Sequence, residues 1–127
     1  MQSQNLLEAF RCAFSGLWYT LRTQRNMRVH LLVAGAVVVL GLWLRLSADQ
    51  WAILAATSGL VLVSEITNTV VEGVVDLVCP DYHPRAKTVK DAMAGAVALA
   101  AMIAVIVGLL ILGPPLWSRL ARSYVGG

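Results

Sequence analysis

The chain has 127 residues, of which 58% are hydrophobic and only 13% charged, and its mean hydropathy is +0.72. A water-soluble domain of that make-up could not cover its own surface, so the composition excludes an ordinary globular protein and points to a single membrane-embedded domain spanning residues 1–127. The net charge of +3 lies mostly outside the apolar runs, and no stretch interleaves basic with aromatic residues, which argues against a nucleic-acid partner.

Residues 4–24 repeat apolar groups at helical steps: Leu6, Leu7, Phe10, Phe14, Leu17, Trp18 and Leu21, with Arg11, Ser15, Arg22 and Gln24 elsewhere on the wheel. This predicts an amphipathic surface helix at the membrane interface, where Trp18 and Tyr19 suit headgroup depth. A cleavable leader is not expected, because the first 28 residues lack an apolar core followed by a small-residue site. Residues 29–46 form a first span, close to the ~20 residues that a ~30 Å hydrocarbon core requires. Ser47 to Gln50 read as a tight polar connection, so residues 51–78 return antiparallel as a second span. At 1.5 Å per residue that span runs ~42 Å, longer than the core, so its inner end projects into the headgroups. Residues 79–85, with Pro80 and Pro84, read as a loop. A third span is predicted over 86–113, starting near Arg85 or Ala86 and rich in Ala and Gly, which favour close helix packing. Gly113-Pro114-Pro115 is expected to stop it, leaving 114–127 as a tail.

Seven basic residues (Arg11, Arg22, Arg25, Arg28, Arg85, Lys87 and Lys90) fall on one side of this topology and three (Arg45, Arg119 and Arg122) on the other. The excess of positive charge inside predicts a cytoplasmic N terminus in a multi-pass protein. Cys12 and Cys79 sit in no metal-binding or disulfide pattern and are read as free thiols.

The second span carries the unusual chemistry. Glu65, Asn68, Glu72 and Asp76 are separated by three, four and four residues, which returns each to nearly the same direction on a helix. Counted from Trp51, Glu65 lies ~21 Å along the axis, Glu72 ~32 Å and Asp76 ~38 Å, so the stripe climbs from within one leaflet to the aqueous boundary. Ionisable groups at membrane depth are costly and mark function. P-loop, protein-kinase and HExxH signatures are absent, and two histidines do not make a usual zinc site. Carboxylates suit Mg²⁺ held together with substrate phosphates. Nearby lysines suit the phosphates themselves. A deeper carboxylate could take a proton from a lipid hydroxyl. Together these describe metal-assisted phosphoryl transfer at a bilayer. Plainer readings stay open at this point: Glu65 as an inter-helix hydrogen-bond partner, Asp76 as a cap or a partner of Arg85, His83 as an exposed loop residue, and Lys87 and Lys90 as interfacial anchors. An ion pathway is a further alternative, although residues 51–64 contain no ionisable group to continue it across the bilayer.

The stretch Glu65-Ile-Thr-Asn68-Thr-Val-Val-Glu72-Gly-Val-Val-Asp76, continued by Tyr82-His83-Pro84-Arg-Ala-Lys87-Thr-Val-Lys90-Asp91-Ala-Met-Ala-Gly95-Ala, strongly resembles the bacterial integral-membrane lipid kinases, the diacylglycerol kinase and undecaprenol kinase family. The similarity extends over roughly residues 10 to 110. The resemblance implies a surface helix plus three transmembrane helices, a homotrimer with sites between subunits in the bacterial inner membrane, and ATP with Mg²⁺. It implies Glu65 as general base on the lipid hydroxyl, Asn68 as a positioning group, and Glu72 as metal ligand. It places Asp76, His83, Lys90 and Asp91 around the nucleotide. Gln24 stands where the family usually has a metal-binding glutamate; its carbonyl can still coordinate, but a charge is lost. Asn26, Arg28, His30 and the Tyr82–Ala96 pattern are more similar to the undecaprenol kinase branch, with diacylglycerol as the alternative acceptor.

Overall fold

A computed structural model describes residues 5–126 as four helices: α1 Leu6–Thr23, α2 Arg25–Leu44, α3 Ala48–Val78 and α4 Pro84–Val125. Gln4 and Gly127, at the edges of the surface helix and the tail read from the sequence, lie outside the described residues. The last three helices are long and apolar enough to cross a membrane. No side chain among the described residues is completely buried, and Leu32, Val39, Leu42, Leu109 and Leu110 lie bare on the flanks. Such flanks suit a hydrocarbon solvent. The chain is an all-α, multi-pass membrane protein.

α1 begins where the Asn5 side chain accepts a hydrogen bond from the Glu8 backbone N–H at 2.8 Å, with Glu8 in the positive first turn. Its apolar residues Leu6, Leu7, Phe10, Phe14 and Trp18 remain exposed, so the stripe is not used to pack the bundle. That leaves it free for the membrane interface. Gln24 alone separates α1 from α2, in extended backbone, and its N–H bonds to the Thr20 carbonyl at 2.9 Å. Arg28 closes the corner. Its Nη1 donates to the carbonyls of Leu21 at 3.3 Å and Arg22 at 2.8 Å, satisfying two groups that the end of α1 leaves open. Residues 25–28 therefore form the first turn of α2, ahead of the apolar run that begins at residue 29.

α2 ends at Leu44 with Arg45 in the left-handed region (φ 56°). Ser47 then caps α3 reciprocally. Its Oγ accepts from the Gln50 N–H at 3.3 Å, while the Gln50 side chain accepts from the Ser47 N–H at 3.0 Å. Ala48, Asp49 and Gln50 thus belong to α3, and the connection shrinks to residues 45–47. Gly41 is required at this crossing, because a Cβ there would stand 2.6 Å from the indole of Trp51. Leu44, Leu54 and Leu112 form the buried cluster at the same end, with Val37, Leu40, Ile111 and Leu116 against it.

α4 starts at Pro84, whose missing N–H costs nothing at a first helical position. The sequence-based stop at Gly113-Pro114-Pro115 is corrected here: α4 continues as helix through both prolines to Val125. Each proline removes one donor to the preceding turn. Packing offsets that loss, since Leu116 joins the leucine cluster and the Arg119 guanidinium lies 4.9 Å from the Trp43 ring centroid. Prolines within spanning helices are tolerated when neighbours hold the helix. The 42 residues make α4 ~63 Å long, so it projects beyond a bilayer core.

Candidate functional site

The polar stripe of α3 keeps its helical register. Burial falls along it: Glu65 is 3% exposed, Asn68 and Glu72 are half-buried, and Asp76 is exposed. Glu65 is the one buried carboxylate among the described residues. Facing it from the first turns of α2 is His30, whose Nε2 lies 3.9 Å from Glu65 Oε1. One turn beyond Glu65, Asn68 Nδ2 donates to Glu72 Oε1 at 3.4 Å. The carbonyl oxygen of Asn68 is buried with no hydrogen-bond partner. An orphaned acceptor of that kind costs about 1–3 kcal/mol, so a hydrogen-bond donor brought by a ligand would be bound favourably there.

Where the stripe reaches the surface it meets α4. Lys90 Nζ donates to Asp76 Oδ1 at 2.6 Å, tying the two helices together across the 79–83 turn. Asp76 is therefore the partner of Lys90 and not of Arg85. Lys87 and Asp91 pair one turn apart within α4 at 2.5 Å. Lys87 thereby neutralises Asp91 locally and leaves Lys90 to face Asp76. His83 caps α4, its Nδ1 accepting from the Arg85 N–H at 3.1 Å. That bond uses one ring nitrogen structurally. Cys79 and Cys12 are free thiols, and Cys79 Sγ donates to the Asp81 carbonyl at 3.3 Å.

The structure thus brings Glu65, Asn68 and Glu72 into one line and joins Asp76 to Lys90. It keeps His83 at the helix start and Gln24 at the α1–α2 corner, where the Gln24 side chain makes no capping bond. Among the described residues no three acidic, histidine or cysteine side chains cluster as a complete metal site. Glu72 and the Gln24 carbonyl are nonetheless donors of the kind Mg²⁺ accepts, and this ion commonly takes only one or two protein ligands, with phosphates and water completing its shell. Sequence reasoning gave His30 no part in the site. The signal was present, for His30 is the sole ionisable residue between Arg28 and Arg45.

An apolar groove of about 530 Å³ runs between α2, α3 and α4 from His30 past Leu40, Ala101 and Gly108 to Leu116. The imidazole at its end has Nε2 3.9 Å from Glu65 Oε1. A membrane-spanning bundle with a buried carboxylate, a graded acidic stripe and a lysine at the surface is built to hold charge at a bilayer boundary.

Comparison with known proteins places this architecture. The family model of prokaryotic diacylglycerol kinase matches residues 11–112. A diacylglycerol kinase of Synechocystis is 50% identical over 115 residues, which are 90% of this chain and 66% of that protein. An undecaprenol kinase of Bacillus subtilis is 42% identical over 109 residues, 86% of this chain and 89% of that one. The diacylglycerol kinase of Escherichia coli K12 is 31% identical over 117 residues, 90% of each. The chain belongs to the prokaryotic diacylglycerol kinase family, whose members are lipid kinases: phosphotransferases with an alcohol as acceptor.

Proposed function

We propose that this protein transfers the γ-phosphoryl group of ATP to the hydroxyl of a membrane lipid, and that the lipid is undecaprenol. The observation that carries the reading is the burial of Glu65 at the deep end of a stripe whose other end is wet. A lipid hydroxyl and a soluble nucleotide must meet at such a boundary. The lipid O–H gives its proton to Glu65 as its oxygen bonds to the γ-phosphorus. The bond from that phosphorus to the bridging oxygen breaks, and ADP leaves. Asn68, one turn from Glu65 and bonded through Nδ2 to Glu72, helps position the reacting groups. Glu72, with the Gln24 carbonyl, would hold Mg²⁺, which neutralises phosphate charge when bound. Lys90 turns from Asp76 toward the phosphates, while Asp76, Asp91 and His83 border the nucleotide.

Undecaprenol is favoured by the similarity of Asn26, Arg28, His30 and the Tyr82–Ala96 pattern to that branch, and by the name of the Bacillus subtilis relative. The apolar groove ending at His30 also suits a long chain. Diacylglycerol is the second reading, supported by the names of the Synechocystis and Escherichia coli relatives. The basic excess on the α1 side and the 79–91 region supports an inner-membrane protein with its N terminus in the cytoplasm. The bare apolar flanks leave room for the homotrimer that the resemblance implies. Phosphorylation of each lipid by the purified protein with Mg·ATP tests the reading: faster product from undecaprenol supports it, and faster product from diacylglycerol selects the second.

A further inference from the structure

We propose that His30 is a positioning residue for Glu65, donating a hydrogen bond from Nε2 that holds the carboxylate ready for the lipid hydroxyl. This rests on the reading of Glu65 as general base. Three observations meet at the pair. Glu65 has a side chain only 4% exposed, so bulk solvent barely reaches it. The His30 imidazole, 24% exposed, comes from a different helix and approaches one oxygen, Oε1, at 3.9 Å. The same imidazole lines the end of the apolar groove, where the walls are otherwise Val29, Val33, Val61 and similar side chains.

A polar ring at the end of a largely apolar groove has few partners, and the Glu65 carboxylate lies close to it. The present separation is an ion-pair distance; a hydrogen bond of ~2.7–3.2 Å needs a small rotation of either side chain. Both the neutral ring carrying its hydrogen on Nε2 and the imidazolium can donate. Donation to an ionised carboxylate is stronger than to a neutral acceptor. Engaging Oε1 leaves the second oxygen to accept the proton of the hydroxyl. A base held in this way reacts faster because misplacement by about 1 Å can cost on the order of a hundredfold in rate. His30 itself does not touch the transferred phosphoryl group and takes no proton in this account.

The test compares His30→Met, which removes the donor but fills the groove, with His30→Gln, whose amide N–H can take the place of Nε2–H. The full chain in detergent is assayed with Mg·ATP and undecaprenol, alongside thermal melting and Glu65→Gln. His30→Met is expected to lower kcat about tenfold with KM for ATP within about twofold of the parent, and His30→Gln to recover to within about threefold. His30→Leu takes the place of His30→Met should the latter fail to fold. The proposal is overturned by an apolar variant with unchanged kcat, or by a folded His30→Gln as slow as the apolar variant. Glu65→Gln separates the two levels. Turnover retained there removes Glu65 as base, whereas an inactive Glu65→Gln beside an unaffected His30→Met removes only the role of His30.

Discussion

At one end of the bundle Leu44, Leu54 and Leu112 close on one another, Gly41 lets Trp51 approach, and Arg119 covers Trp43. Toward the other end the buried residues include Met27, Thr20 and Glu65, and the helices are linked by His30–Glu65 and Asp76–Lys90. The first end is held by apolar packing and contains no group that chemistry needs. The second places a carboxylate where an apolar side chain would pack better, and leaves an Asn68 oxygen without a partner. Unsatisfied polar groups cost stability, and proteins keep them where a ligand uses them. The leucine end thus anchors a bundle whose opposite end holds the residues proposed to react.

That contrast breaks most sharply at Glu65. Glu65→Gln should lower phosphate transfer by about 10²–10⁴-fold while leaving the melting temperature in detergent close to that of the parent, because the amide keeps the shape of the side chain. At the leucine end the signs reverse. Leu112→Ala should destabilise by about 2–5 kcal/mol, read as a lower melting temperature, with turnover per folded molecule unchanged. Gly41→Ala belongs to the same class, with about 1–3 kcal/mol lost as Trp51 is pushed aside. Between the extremes, Lys90→Ala should raise KM for ATP severalfold without a measurable change in melting, since an exposed ion pair contributes little to stability. A large melting shift in Lys90→Ala would make the pair structural and blur the division. The smallest effect is expected for Arg119→Ala, about 0.5–1 kcal/mol from the cation–π contact, with activity intact.

Much of this was legible in the residues. The three spans follow from apolar run length, and the stripe from the spacing of Glu65, Asn68, Glu72 and Asp76, because both patterns lie within one element. What a pattern within one element does not carry is contact between elements. His30 looks unremarkable in α2 until α3 is laid beside it. The prolines at 114 and 115 illustrate the same limit: the local rule ends the helix, yet Leu116 and Arg119 find partners on the bundle and the helix continues. Arg28 capping the end of α1 likewise depends on a corner that no single helix pattern encodes. The shift of the α3 start to Ala48 is different, for Ser47 and Gln50 form a capping box readable from sequence.

Gln24 offers a separate test of the proposed metal site. If its carbonyl helps hold Mg²⁺, Gln24→Glu should lower the Mg²⁺ concentration needed for half-maximal transfer, because a charged oxygen binds this ion more tightly. A Mg²⁺ dependence unaltered in that variant would remove Gln24 from the metal site.

The central claim is that the charged end transfers phosphate to a lipid through Glu65. Its most direct test is transfer of labelled γ-phosphate from Mg·ATP to undecaprenol or diacylglycerol by the purified protein and by Glu65→Gln, side by side in detergent. Labelled lipid is expected from the parent, faster with undecaprenol, and none from the equally folded variant. Labelled lipid at the same rate from both proteins, or from neither with either lipid, would contradict it.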